Sequence, residues 1–177
     1  QEVIDALTRF RFSDEEIGWL ASGGRFSRDF LAYLAALTFS GDVWAMTEGE
    51  IFFADEPVLE VTAPLIEAQI IETYLINAMG FASLLATKAA RCVHAAGGRP
   101  IVDFSLRRTQ GSHAGIIVAR SSYIAGFAGT SNVLAGKVWD IPTSGTMAHA
   151  FVTEFKSEID AFEAYAEVFP DSAVFLI

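Results

Sequence analysis

The chain has 177 residues, 52% of them hydrophobic and 19% charged, enough for one good core or parts of two and too apolar for a disordered segment. Its formal net charge of −10 argues against a nucleic-acid surface, and one cysteine, Cys92, cannot form an internal disulfide. No basic region followed by an apolar run opens the chain, and the longest nearly apolar run, Leu75 to Ala86, is expected to be too short to cross a bilayer. A reducing, cytoplasmic setting without membrane or nucleic-acid partners is the expectation.

The charge is unevenly spread. Residues 1 to 80 carry 4 basic and 14 acidic side chains, and residues 151 to 177 carry 1 and 6. Residues 81 to 150 carry 7 basic and 2 acidic side chains, a local net of +5. Such a middle can focus an anionic ligand, or its cations can lie on separate helix surfaces.

In chain order, Glu2 to Phe10 reads as a short helical piece. Ser13 followed by Asp14, Glu15 and Glu16 reads as a capping box opening a helix that stops near Gly23-Gly24. Ser27 can cap a second helix over Arg28 to Ala36. Val43 to Met46, Ile51 to Ala54 and Val58 to Thr62 are three β-type runs, expected to form an antiparallel meander. Pro64 sits at a helix start. The apolar region from Leu65 to about Ala96 reads as one long helix, with a bend at Gly80 and a stop at Gly97-Gly98. Its polar residues fall too sparsely for a wet face, so burial in a core or a subunit interface is expected.

Beyond Gly98 the rhythm changes. Strands are expected at Pro100 to Leu106, within Ile141 to Val152 and at Ala173 to Ile177. Helices are expected at His113 to Phe127, from Asn132 to about Val138 with Thr130 or Ser131 as cap, and at Ser157 to Phe169. Strand alternating with helix implies parallel βαβ units. Residues 1–97 are expected to form an α+β sandwich domain and residues 98–177 the start of an α/β barrel, both partial. Three strands cannot close a barrel, which needs about eight.

Ligands collect at the carboxyl ends of strands in such architectures, and two stretches lie there. In Asp103-Phe104-Ser105-Leu106-Arg107-Arg108-Thr109-Gln110-Gly111, one of two arginines can fork onto a phosphate or carboxylate, strand alternation sending the other away. An ion pair with an acidic residue of the chain is the alternative. In Ile141 to Val152, Thr143, Ser144 and Thr146 offer hydroxyls, and His149 is either a packed core residue or a base, nucleophile or ligand. Gly129-Thr130-Ser131-Asn132 before a helix is a third candidate, as an anion site or an ordinary cap. Histidine and carboxylate spacings show no metal site.

The three stretches DFSLRRTQG (103–111), SYIAGFAGTSNVLAG (122–136) and IPTSGTMAHAFV (141–152) together resemble the nicotinate phosphoribosyltransferase family. The resemblance implies a type II phosphoribosyltransferase fold, an α/β sandwich joined to an incomplete barrel. It implies joining of nicotinate to 5-phosphoribosyl 1-diphosphate, giving nicotinate mononucleotide and diphosphate, with ATP hydrolysis coupled to the reaction as a step of NAD biosynthesis. The histidine of the G-T-x-A-H motif, phosphorylated in turn by ATP, matches His149. The nicotinate-contacting threonine matches Thr146, and the first arginine of L-R-R, holding anionic substrates, matches Arg107. Ser131 stands where the related nicotinamide enzyme has an acidic pyridine-contacting residue. Mg²⁺ would accompany the polyphosphates, with ligands not all from protein, and a homodimer is implied.

Other readings are a non-catalytic binding or assembly module on the same scaffold, or an enzyme for nicotinamide or quinolinate; G-T-M-A-H argues against quinolinate. The family's usual start, with a pyridine-stacking tyrosine, does not precede Gln1. Its later strands, a further substrate-binding arginine and its phosphate-binding loops do not follow Ile177. The chain therefore resembles the front-middle portion of such an enzyme and is expected to be inactive alone.

Overall fold

A computed structural model describes residues 2–175, a mixed α/β structure. The chain divides into two compact units, Gln1–Ser83 and Leu84–Ile177. The division falls inside a long helix; Gly97-Gly98, where that helix stops, remains the proposed domain boundary.

The first unit opens with three short helices, α1 (Glu2–Thr8), α2 (Asp14–Ser22) and α3 (Arg28–Ala36). Each of the last two starts where side-chain chemistry dictates. Ser13 Oγ accepts from the Glu16 amide while the Glu16 carboxylate accepts from Ser13, the reciprocal capping box. Ser27 Oγ accepts from the Phe30 amide. Strands β1 (Asp42–Ala45) and β2 (Leu59–Thr62) pair antiparallel, Val43 opposite Val61 and Ala45 opposite Leu59. Val43, Leu59 and Val61 pack with Val3 and Phe39 around buried Leu7, Ile71 and Leu75, the core of this unit.

The expected middle strand, Ile51 to Ala54, does not form. Positive φ at Gly49 and Asp55 bends the segment, and the Phe53 amide donates to the Glu56 carboxylate at 2.7 Å rather than to a neighbouring strand. Met46 N–H instead reaches Val58 directly. The meander is thus a two-stranded hairpin with a long turn.

Helix α4 runs unbroken from Leu65 to Ala96, 32 residues, through Gly80, and stops at positive-φ Gly97 and Gly98. Its burial within this chain corrects the core alternative and leaves the subunit-interface alternative open. Glu67, Ile71 and Leu75, four apart on one stripe, and Ala89 are its buried residues, whereas Leu65 and Leu84 are more than 70% exposed. The estimate from Leu75–Ala86 that no segment could cross a bilayer is also overturned. By length and composition α4 suffices, because its charges are too sparse to lower its hydropathy. Its observed partners are protein: the Glu67 carboxylate accepts from the Ser40 amide at 2.7 Å and the Ser40 hydroxyl at 3.0 Å, and Ile71 and Leu75 lie in the core.

The second unit continues with β3 (Val102–Asp103), a 3₁₀ turn (Leu106–Arg108), α5 (Ser112–Ile124), β4 (Gly129–Thr130), α6 (Val133–Trp139), α7 (His149–Thr153) and α8 (Glu158–Val168). β3 and β4 are parallel, Val102 opposite Gly129 and Asp103 opposite Thr130, with α5 as the crossover. Thr143 adds a single parallel bridge to Thr130. The strand–helix alternation therefore exists, but its strands are shorter than expected. Pro100 to Leu106 shrinks to two residues because the Asp103 side chain bonds the Ser105 amide and turns the chain. Ile141 to Val152 shrinks to the bridge at Thr143 and then enters α7.

The cap of α6 is Asn132, whose Oδ1 accepts from the Ala135 amide, and not Thr130 or Ser131. Ser157 caps α8 as expected. Residues 173–175 form no strand, and Val174 and Phe175 are exposed rather than buried; the rest of that expected strand, residues 176–177, lies outside the described residues.

Candidate functional site

The carboxyl edge of the small parallel sheet gathers the loops that carry the sequence candidates. β3 ends at Asp103 and leads into the 3₁₀ turn with Arg107 and Arg108. β4 ends at Thr130 and leads through Ser131 into α6. The Thr143 bridge leads through Gly145 and Thr146 to His149.

Two buried side chains tie these loops. Asp103, 5% exposed, accepts from the Ser105 amide at 2.9 Å through Oδ1 and from the Thr130 hydroxyl at 2.8 Å through Oδ2. The same Thr130 hydroxyl accepts from the Asn132 amide at 3.0 Å, and Thr130 is fully buried. Backbone bonds complete the set: Ser131 N–H to the Asp103 carbonyl at 2.7 Å, Thr130 N–H to the Pro142 carbonyl at 3.0 Å, and Ser144 N–H to the Thr130 carbonyl at 3.0 Å. Asp103, Thr130 and Asn132 at the centre of this junction are buried and paired, while Pro142 and Ser144 at its rim are exposed.

Glycine makes the junction possible. A Cβ on Gly129 would lie 2.5 Å from the Pro142 carbonyl oxygen, closer than any side-chain carbon can sit. Only hydrogen at that position lets the third segment reach β4.

The sequence candidates fall as follows. His149 is exposed, so the core-histidine reading does not hold. It opens α7 between Met147, which is buried, and Phe151, whose ring lies 6.1 Å from that of Tyr165 on α8. The two apolar neighbours anchor the segment and leave the imidazole in solvent. Thr146 lies in the same exposed loop, and its hydroxyl reaches the Met147 carbonyl at 3.5 Å. Ser131 is half-buried and bonded through its amide to Asp103.

Arg107 and Arg108 are both exposed. They sit on a 3₁₀ turn and not on a strand, so alternation does not send one of them away from a ligand. The other cations of the positive middle lie on different elements, Lys88 and Arg91 on α4 and Lys137 on α6. Arg120 on α5 stacks over the Trp139 ring, its guanidinium carbon 4.4 Å from the centroid. Dispersal on separate helices thus describes most of that charge, and the arginine pair is the part placed at the strand ends.

Asp103, Thr130 and Asn132 were not singled out by sequence as a group. Asp-x-Ser directly after an apolar run is the signal that could have pointed to the Asp103 turn. Its bond to Thr130, 27 residues away, has no local signature. Ser105 Oγ, at the same edge, is buried without a hydrogen-bond partner among the described residues. Concavity alone points elsewhere. An open trough of about 460 Å³ lies in the first unit, lined by Leu59, Val61, Ile71, Leu75 and other largely apolar residues of β2 and α4. That lining offers little chemistry, and the polar edge of the second unit is the better candidate.

Residues 1–80 match the nicotinate phosphoribosyltransferase N-terminal domain, and residues 100–173 match the nicotinate phosphoribosyltransferase family. A nicotinate phosphoribosyltransferase of Mycobacterium tuberculosis is 51% identical over 169 residues, 96% of this chain and 36% of that protein. One from Bacillus subtilis is 42% identical over 177 residues, 100% of this chain and 36% of that protein. Among solved structures, human nicotinic acid phosphoribosyltransferase is 38% identical with a TM-score of 0.77, covering 86% of this chain and 31% of that one. A nicotinate-nucleotide pyrophosphorylase from Pyrococcus furiosus is 30% identical with a TM-score of 0.70, covering 80% and 36%. The chain spans about a third of the length of these relatives.

Proposed function

Because the chain belongs to the nicotinate phosphoribosyltransferase family, we propose that it supplies the His149-bearing part of an enzyme joining nicotinate to 5-phosphoribosyl 1-diphosphate. In that reaction the pyridine nitrogen forms a bond to the anomeric carbon, the bond to the diphosphate oxygen breaks, and nicotinate mononucleotide and diphosphate leave. The observation that carries the reading is the loop Thr143 to His149. It is held to β4 at the carboxyl edge of the sheet, from which the loops bearing Arg107 and Ser131 also leave, and it ends in an exposed histidine.

Each residue has a role suited to its chemistry. Arg107, on a solvent-facing turn, offers a forked donor to the nicotinate carboxylate or to phosphate. Thr146 and Ser131 flank the pyridine and fix its orientation. Attack at the anomeric carbon passes through an oxocarbenium-like state, so the protein contributes mainly positioning and charge stabilisation. His149 accepts the terminal phosphoryl group of ATP: an imidazole N–P bond forms, the bridging P–O bond breaks, and ADP departs. A neutral imidazole needs no prior deprotonation for this, and an exposed one is reachable. Later transfer of the phosphoryl group to water releases phosphate.

Mg²⁺ belongs to the proposal as companion of the polyphosphates. Its ligands need not all come from protein, since phosphate oxygens and water can complete the shell. A homodimer and a cytoplasmic setting are further parts of the reading. The exposed, unpaired Cys92 accords with a reducing compartment.

The test is incubation of the full-length protein with ATP labelled in its γ-phosphate. Acid-labile label on His149 is expected, together with formation of nicotinate mononucleotide. A His149→Ala protein that still takes the label would refute the assignment. A protein that binds neither nicotinate nor 5-phosphoribosyl 1-diphosphate would point instead to an assembly module on the same scaffold.

A further inference from the structure

We propose that Asp103 is a positioning residue that acts through Thr130 to set the spacing between the loop carrying Arg107 and the loop carrying Ser131. The inference rests on the proposed function for its kinetic consequence, but its structural content stands on this chain alone.

The argument begins with hydrogen-bond capacity. Asp103 Oδ1 is taken by the Ser105 amide, at the start of the turn that presents Arg107. Asp103 Oδ2 is taken by the Thr130 hydroxyl, at the end of β4. That hydroxyl has one proton, which points at Oδ2, and it uses a lone pair to accept the Asn132 amide. One oxygen therefore links a carboxylate on one loop to the backbone of the next. The Asp103 carbonyl holds the Ser131 amide in parallel. Thr130 also joins the third loop, through its N–H to Pro142 and its carbonyl to Ser144, on the way to Thr146 and His149.

No neutral substitute reproduces this. An asparagine at 103 has one acceptor oxygen and one NH₂ group, and both present donors, the Ser105 amide and the Thr130 hydroxyl, need an acceptor. If the NH₂ faces Ser105, two donors meet. If it faces Thr130, the hydroxyl must turn its proton away from the residue it now links. Valine at 130 keeps the shape and removes both bonds, whereas serine keeps both. Because the site is buried, a broken link is not replaced by solvent at no cost.

The test uses the full-length protein with Thr130→Val, Thr130→Ser and Asp103→Asn. Amide hydrogen exchange is read at Ser105, Ser131, Asn132 and Ser144, with α5 and α8 as internal references; kcat and KM are measured for nicotinate and 5-phosphoribosyl 1-diphosphate. In Thr130→Val and Asp103→Asn the loop amides are expected to exchange about tenfold faster or more, with α5 and α8 unchanged. KM for the two anionic substrates is expected to rise about tenfold, by more than kcat falls. Thr130→Ser should lie within about twofold of wild type in both. Loop protection unchanged in Thr130→Val overturns the proposal, and so does loss of protection spread equally through α5 and α8. KM unchanged despite loosened loops also overturns it. If the wild-type protein turns over no nicotinate, the functional reading fails, while the exchange comparison still decides the link between the loops.

Discussion

Replacing Gly129 by alanine tests the junction at the sheet edge most directly. The backbone at Gly129 is not in the left-handed region, so alanine is conformationally allowed and the perturbation is steric. The added methyl would sit 2.5 Å from the Pro142 carbonyl oxygen and 3.3 Å from its carbon, both backbone atoms that cannot swing aside. Relief requires β4 and the 142–144 segment to separate. That stretches Thr130 N–H to Pro142 and Ser144 N–H to Thr130, both now 3.0 Å. A backbone bond contributes about 1 kcal/mol net, and a buried partner left unpaired costs about 1–3 kcal/mol. Against this, alanine lowers the entropy of the unfolded chain by an amount worth only about 0.4–1 kcal/mol. The steric effect wins, with an expected loss of about 3 kcal/mol. Gly80→Ala is the control: nothing lies within 4 Å of its Cβ, it sits mid-helix in α4, and a gain of about 0.5–1 kcal/mol is expected. Urea unfolding followed by circular dichroism measures both. A Gly129→Ala loss below about 1 kcal/mol would refute the close approach.

Three further outcomes follow from the same structure. Ile71→Ala removes a side chain 2% exposed at the centre of the first unit's core and should cost about 2–4 kcal/mol, whereas Leu84→Ala, 72% exposed on the same helix, should stay within about 0.5 kcal/mol; equal effects in urea unfolding would show that the buried stripe is wrongly placed. The Ser13 amide and hydroxyl both donate to the Glu16 carboxylate and hold its pKa below the ordinary glutamate value. A depressed folded pKa means that the stabilisation of the start of α2 is present above the ordinary range and lost as pH falls through the folded value. An NMR titration of the Glu16 carboxyl should show the depression, and Ser13→Ala, which removes the hydroxyl donor and keeps the stronger backbone amide donor, should reduce it without abolishing it. On the proposed function, Arg107→Lys keeps the charge and loses the planar fork, so KM for nicotinate and 5-phosphoribosyl 1-diphosphate should rise about tenfold with the fold intact; an unchanged KM would remove Arg107 from the site.

Helix starts were legible wherever the chemistry that makes them is local. Ser13, Ser27 and Ser157 each bond an amide three residues on, within reach before any tertiary structure forms. The stop of α4 at Gly97-Gly98 was legible for the same reason. Strands were less so. Ile51 to Ala54 has β-type residues but lacks a partner, since β1 pairs directly with β2. The runs around Asp103 and Thr143 look like full strands, yet the Asp103 side chain turns the first through its own bond to the Ser105 amide, and the second pairs at Thr143 alone before the chain enters α7.

Motif identity belongs to the sequence alone: the order of D-F-S-L-R-R, G-T-S-N and G-T-M-A-H, the single histidine in the last of them, and the family they indicate. Composition likewise determined that the chain buries a core and carries its positive charge in the middle. Tertiary structure decided three other things: that His149 is exposed rather than packed, that α4 buries one stripe rather than its whole surface, and that Asp103 and Thr130 meet across 27 residues. The physical reason is range. Capping, turn formation and helical periodicity act within a few residues and leave a local pattern, whereas burial and a buried carboxylate–hydroxyl pair depend on which distant segments pack together.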